Sequence, residues 1–332
     1  MLMNRQRAKL ILGIAAGTLS LYSVAHQRFT EKMAKIAMDR DPAPMRWGKV
    51  RISGSAELES RSQLLHQAAQ RLESRNCEIV VIQGKDGVRL VGHWRGSECP
   101  ERVIIAMHGW RSSWSQDFGC IADFWHSHHC AVLYAEQRGQ NNSGGACISF
   151  GLLERYDCLA WANWAGERTG GRLPIYLAGT SMGATTVLMA ADLGLPPCVC
   201  GIAADSAFTS PPAIWKYVSE NNLHIPYAPY RAGVARQCRR RTGMAADAAS
   251  TTQALAHCRV PVFLIHGADD RFVPVEMCYE NYKACPGSKR LLIVPGADHC
   301  MSYLLERETY EQMTKEFWER CERRWQQEKL RS

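Results

Sequence analysis

The chain of 332 residues reads as an α/β protein with a mostly parallel central sheet and helices on both faces. Two observations carry this reading. Six short, continuously apolar runs recur: RVIIAM (Arg102 to Met107), AVLYA (Ala131 to Ala135), IYLAG (Ile175 to Gly179), VCGIAA (Val199 to Ala204), VFLIH (Val262 to His266) and RLLIV (Arg290 to Val294). Stretches of helical character separate them, and unalternating apolar strands divided by helices imply a sheet covered on both sides. In such sheets functional residues collect just past the carboxyl ends of the strands. Each motif below falls at one of those ends.

Composition agrees. With 46% hydrophobic and 22% charged residues the chain is ordinary globular material, and no repeat points to a solenoid or propeller. A net charge of +8 is modest and no nucleic-acid motif accompanies it, so nucleic acid is not an expected partner. The fourteen cysteines are scattered through strands and helices without paired CxxC units, which excludes a zinc ribbon. They read as small buried apolar residues and suit a reducing environment. Cys198 and Cys200 are expected on one face of a strand.

Residues 1–43 read as a separate N-terminal segment. Arg5, Arg7 and Lys9 precede an uncharged stretch from Leu10 to Ala25. A single-span membrane anchor is favoured over cleavage at Ser23-Val24-Ala25, although the stretch is short against the roughly 20 residues a bilayer core asks for. A buried first helix of the soluble domain is the third possibility. The following RFTEKMAKIAMDR is amphipathic and basic, as for a helix at a membrane surface. Charge before the span favours a catalytic domain outside the cytoplasm, whereas the cysteine count pulls the other way. After Asp41-Pro42-Ala43-Pro44 the domain proper, 44–332, opens with a helix from Glu57 to Glu73. Cys77–Gln83 and Val88–Trp94 then form a hairpin about Asp86-Gly87.

The chemistry starts at Gly179-Thr180-Ser181-Met182-Gly183, between the strand IYLA and the helix TTVLMAADL. A strand-to-helix turn this tight leaves no room for side chains two positions either side of the serine, and it lifts the hydroxyl to the helix N-terminus. Ser181 is the expected nucleophile. It needs a base and an orienting acid, which follow it in the order acid, then histidine. His299, after the last strand, is the base; His266 lies inside a strand and reads as a core residue. Asp269, Asp270 and Asp205 compete as the acid. Asp270 is favoured, because the loop after His266-Gly267 should turn toward the histidine there. The backbone N–H groups of Met182 and Trp110 are the expected oxyanion donors, and His108 reads as a turn residue.

These motifs together resemble the α/β-hydrolase superfamily, in particular bacterial esterase-like proteins grouped with serine aminopeptidase-like hydrolases. The resemblance runs from about Cys77 to the C-terminus. It rests on His108-Gly109-Trp110, Arg138-Gly139 with Ser143-Gly144-Gly145, the Ser181 turn, His266-Gly267 with Asp270 and Val273-Pro274, and His299. It implies an α/β-hydrolase fold with a short helical lid, and it raises the expectation of an N-terminal anchor. One loop departs: Glu136-Gln137-Arg138-Gly139-Gln140-Asn141-Asn142-Ser143 stands where relatives carry Asp-x-Arg-Gly-His-Gly-x-Ser.

The lid is expected at about 206–257, with Trp215 and Tyr217, beside Trp110, as substrate-binding residues. Ester hydrolysis through an acyl-enzyme is the leading expectation, with no metal or cofactor required. The alternatives are a peptidase, which would want a lid acid such as Glu220 for the substrate amine, and a non-catalytic binding protein. The His126–Cys130 cluster reads as a solvated loop, and the basic run Arg236–Arg241 as a solvated helix face.

Overall fold

The computed structural model describes residues 23–41 and 56–330. Helix α1 (23–38) is followed by α2 (Ala56–Glu73) and an eight-stranded sheet. β1 (Glu78–Gln83) and β2 (Arg89–Arg95) form the expected hairpin, with the Gly84 N–H donating to Val88 O at 2.8 Å and Gly87 at φ +76°. Then come β3 (Arg102–Met107), α3 (Trp114–Phe118), α4 (Ala122–Ser127), β4 (Cys130–Glu136) and α5 (Glu154–Thr169). β5 (Ile175–Thr180), α6 (Met182–Met189) and β6 (Val199–Asp205) follow. The insert contributes α7 (Pro211–Tyr217), a π-helical turn (Val218–Asn222), α8 (Arg231–Thr242) and α9 (Thr251–Ala256). β7 (Val262–Gly267), α10 (Val275–Ala284), β8 (Lys289–Val294), α11 (Ser302–Leu305) and α12 (Arg307–Lys329) complete the fold.

The strand order is β1-β2-β4-β3-β5-β6-β7-β8, and only β2 runs against the others. The central strands are buried from end to end, which explains why their sequences do not alternate. Ile105, Leu133, Leu177 and Leu264 face one layer, with Trp161 of α5 fully buried at its centre. Ile104, Tyr134, Tyr176 and Phe263 face the other, against Trp125, Phe317 and Trp318 of α4 and α12.

Several local expectations change. The C-terminal helix is two, broken at Glu306 between α11 and α12. Cys198 and Cys200 belong to opposite layers. Cys198 precedes the strand, and the register shifts at Ile175/Tyr176, which defeats the two-residue period. All fourteen thiols are free; ten are buried and only Cys99 is exposed. The His126–Cys130 stretch is not a solvated loop: His126 bonds to the Tyr134 hydroxyl at 3.0 Å and His128 to Phe124 O at 2.8 Å. Among the described residues no cluster of three or more metal-binding side chains occurs.

The expected anchor, residues 10–25, falls almost wholly outside the described residues. Among the described residues, no helix is long and apolar enough to cross a membrane. The amphipathic segment after it is α1, and its apolar stripe packs against protein. Thr30, Ala34 and Met38, at i, i+4 and i+8, are buried. Arg241, at the end of the basic run, is not solvated but pairs with Asp39 at 2.5 Å.

The loop after β4 carries a buried ion pair. Arg138 donates to both carboxylate oxygens of Asp157, at 2.6 and 2.5 Å, and reaches Asp86 at 2.7 Å. Arg138→Ala would strand a buried carboxylate, a change that costs about 3–5 kcal/mol. A urea titration should show a lower midpoint with an unchanged slope.

Candidate active site

The turn from β5 into α6 is as tight as its sequence implied. A Cβ on Gly183 would lie 1.8 Å from Met107 O, and one on Gly179 would lie 2.3 Å from Gly183 O. Only glycine fits at either place. Ser181 between them adopts φ +55°, ψ −117°, a sparsely populated conformation for a side-chain-bearing residue. Its own N–H donates to Asp205 O at 2.8 Å, which holds the turn down on β6. The hydroxyl thereby stands at the first turn of α6.

The structure brings Ser181, His299 and Asp270 together. The Ser181 hydroxyl lies 2.9 Å from His299 Nε2, and His299 Nδ1 lies 2.7 Å from Asp270 Oδ2. A proton on Nδ1 directed at the carboxylate leaves the Nε2 lone pair facing the serine, the arrangement a general base requires. Asp270 is fully buried and accepts at both oxygens: Oδ1 takes the N–H groups of Phe272 and Val273, at 2.9 and 2.8 Å. Burial by itself would raise its pKa. The hydrogen bonds from His266 and His299 outweigh that and hold the carboxyl well below the usual range.

His266 was read from the sequence only as a core residue. It is buried in β7, and its Nε2 also sits 2.9 Å from Val273 O and 3.2 Å from Asp270 Oδ2. Asp270 is therefore gripped from two sides, by a histidine on the strand that leads to it and by His299. Sequence offered one signal for this, the i, i+4 spacing of His266 and Asp270. Asp298 is a second residue that sequence reasoning missed. Its Oδ1 accepts from the N–H groups of His299 and Arg271, at 2.8 and 3.1 Å, and so ties the loop carrying His299 to the loop carrying Asp270.

The carboxylates of the other two candidate acids make other contacts than His299. Asp269 points to solvent. Asp205 accepts from Ser206 Oγ at 3.0 Å and Ser302 Oγ at 3.4 Å, and burial raises its pKa. His108 is no second base, since Nδ1 bonds Gly109 O at 2.8 Å and Nε2 accepts the Gln137 N–H at 3.1 Å. Burial pushes its pKa down, in keeping with a neutral ring.

Met182 opens α6, so its N–H is among the donors that helix geometry leaves without an intrahelical partner. The turn bearing Trp110 abuts Ser181: a Cβ on Gly109 would lie 3.3 Å from Ser181 Cβ. That turn is braced by the loop that departed from the resemblance. Gln140 Oε1 accepts the Arg111 N–H at 2.6 Å, and Gln137 Nε2 donates to His108 O. Glu136 accepts from His93 at 2.7 Å and from Asn142 Nδ2 at 3.0 Å.

A cavity of about 360 Å³ opens at Ser181. Trp110 and Trp215 line it, and so do Phe150, Phe208 and Phe272. Tyr217 does not. It is half-buried at the end of α7, packed beside the apolar cluster that includes Phe208 and Ile214. The insert is also narrower than 206–257 as a cover for the site, because α9 packs on α6 and α10. Glu220 spends its carboxylate on the Tyr227 N–H at 3.4 Å and is not among the cavity residues.

No family model matches the chain. The uncharacterized protein YqkD of Bacillus subtilis is 28% identical over 186 residues, 56% of this chain and 61% of that protein. The chain thus spans less than two thirds of that relative's length. An uncharacterized protein of Mycobacterium tuberculosis, Rv2307c, is 25% identical over 232 residues, 68% of this chain and 74% of its own. Among solved structures, the Pyrococcus furiosus esterase Pf2001 superposes with a TM-score of 0.61 at 22% identity, covering 75% of this chain and 93% of that one. Est1E of Butyrivibrio proteoclasticus, solved with ferulic acid bound, gives 0.56 at 20% identity, covering 73% and 98%. The chain has the α/β-hydrolase fold.

The depressed pKa of Asp270 has a consequence for stability. Its folded value lies below the unfolded value near 4, so the stabilisation is complete above about pH 4 and is lost as pH falls through the folded value. Unfolding free energy measured between pH 6 and pH 3 should therefore drop more steeply in the wild type than in Asp270→Asn. Parallel pH profiles for the two proteins would contradict this.

Proposed function

We propose that the protein is a serine hydrolase that cleaves carboxylic esters through an acyl-enzyme. His299 takes the proton from Ser181 as the hydroxyl attacks the ester carbonyl, and Asp270 orients and stabilises the imidazolium. The N–H groups of Met182 and Trp110 hold the tetrahedral oxyanion. His299 returns the proton to the leaving alcohol. Water, deprotonated by the same base, then releases the acid and free Ser181. The chain of hydrogen bonds from Asp270 through His299 to the Ser181 hydroxyl carries this reading.

Esters are favoured over peptides because the lid acid a peptidase would want, Glu220, is bonded to backbone and lies off the cavity. In the same proposal, residues 10–25 anchor the protein to a membrane with the catalytic domain outside the cytoplasm. The full chain should then stay in the pellet on alkaline carbonate extraction; release into the supernatant would count against the anchor.

The catalytic proposal is tested with a fluorophosphonate probe and p-nitrophenyl acetate. The probe should modify Ser181, and Ser181→Ala should lose at least about 10³-fold in kcat. Folded protein that takes up no probe, or a Ser181→Ala variant as active as the wild type, would refute it.

A further inference from the structure

We propose that α1 is one wall of the acyl-binding cavity, and that the substrate is an ester of an unbranched aliphatic acid of roughly ten carbons whose chain lies between α1 and the lid. This deepens the ester-hydrolase reading and rests on it.

The cavity at Ser181 is closed on one side by α1, through Phe29, Met33 and Ile36, and on the other by the lid, through Ile214, Trp215 and Tyr230. Several of the polar groups around it are already spent. Thr30 Oγ donates to the carbonyls of its own helix, at 2.9 Å from Gln27 O. Ser219 Oγ donates to Ile225 O at 2.7 Å, and the Trp110 indole to Ala37 O at 2.8 Å. The Trp215 indole N–H has no partner but is itself buried away from open space. These walls suit hydrocarbon better than a polar acyl group, whose burial without partners is costly. Taking a methylene as similar to the ~30 Å³ share of a liquid water, the 360 Å³ volume holds a chain of about ten to twelve carbons. A second cavity, about 400 Å³, lies behind the sheet against α3 and α12; Ser181 is not in its wall.

α1 is fastened as a structural wall would be. At its C-terminal end Arg111 donates to Ile36 O and Asp39 O, at 2.8 and 2.7 Å, which satisfies carbonyls the helix leaves open. Met38 O accepts from Ile148 N at 2.6 Å, and Asp39 pairs with Arg241 of α8. At the other end His26 bonds Pro229 O at 2.8 Å and stacks on Tyr230. Between them α8 comes close because residue 233 is glycine; a Cβ there would lie 2.6 Å from Thr30 Cγ2. Both ends are pinned, and the turns between them, carrying Phe29 and Met33, bridge open space that leads to the nucleophile.

The test uses the full-length protein, Met33→Trp to fill the cavity and Met33→Ala to enlarge it. The readout is kcat/KM on p-nitrophenyl esters from acetate to hexadecanoate, with the rate of Ser181 labelling by a fluorophosphonate measured on each protein. Each methylene buried can raise kcat/KM by up to about fourfold. The wild type should therefore prefer decanoate to acetate by about 100-fold or more. Met33→Trp should lower that ratio at least about tenfold and shift the optimum to shorter chains, while Met33→Ala should shift it to longer ones. Opposite shifts are the signature of a wall, since a helix merely dislodged would move both variants the same way. Unchanged profiles, or shifts in one direction, in proteins whose Ser181 still labels would overturn the role of α1 and leave the hydrolase reading standing. Absence of labelling and of turnover in the wild type would sink both.

Discussion

The architecture of the site depends on one close approach, that of the first turn of α6 to the end of β3. With the Gly183 Cα pressed against Met107 O, the helix starts directly above the sheet and the serine before it has no option but a positive φ. The strain, of the order of 1–3 kcal/mol for a residue in such a region, is borne by the surroundings: β5 is buried, and the Ser181 N–H is bonded to β6. The position of Ser181 is set by backbone packing before the side chain of His299 or Asp270 takes part. Asp270 and His299 are brought to it by β7 and β8, whose register places the end of each strand beside the other.

Much of this was legible in the chain. The six apolar runs mark six strands to within a residue or two, because burial on both faces removes alternation and leaves a signal that depends on composition alone. That Ser181, Asp270 and His299 would meet was legible for a related reason: each stands shortly after a strand, where a rigid element fixes where the loop begins. What escaped was whatever depends on the angle between elements distant in sequence. The docking of α1 onto the lid joins residue 26 to residue 229 and residue 39 to residue 241. Its sequence pattern is that of any amphipathic helix, which tells that a face will be covered but not by what. Tyr217 failed as a pocket residue in the same way, since a composition rich in aromatics cannot say which side of a short helix faces in. Asp298 escaped because hydrogen bonds to backbone N–H groups leave no pattern in sequence, and the second role of His266 because its i, i+4 spacing to Asp270 does not say that the loop folds back onto the ring.

The loop 136–145 is a brace built from polar side chains. Glu136, Gln137 and Gln140 use carboxylate and amide groups to hold His93, His108 and Arg111, and Arg138 is locked beneath them by Asp157. The loop steadies the turn of Trp110 beside Ser181 and contributes no side chain to the Ser181–His299–Asp270 chain. Its residue identities are set by the groups it braces, so the glutamines are a local solution to a structural task.

The thiols carry a consequence of a different kind. Ten of the fourteen are sealed between the sheet and its helices or beneath the lid, and burial raises the pKa of several, to about 12 at Cys130 and Cys200 and to about 11 at Cys147 and Cys258. Since the thiolate is the reactive form, these sulfurs are almost entirely unreactive at neutral pH. A chain that looks rich in redox chemistry is, once folded, poor in it. Alkylation and disulfide exchange at the ten become reporters of unfolding, with Cys99 exposed and Cys77, Cys120 and Cys300 partly exposed in the native fold.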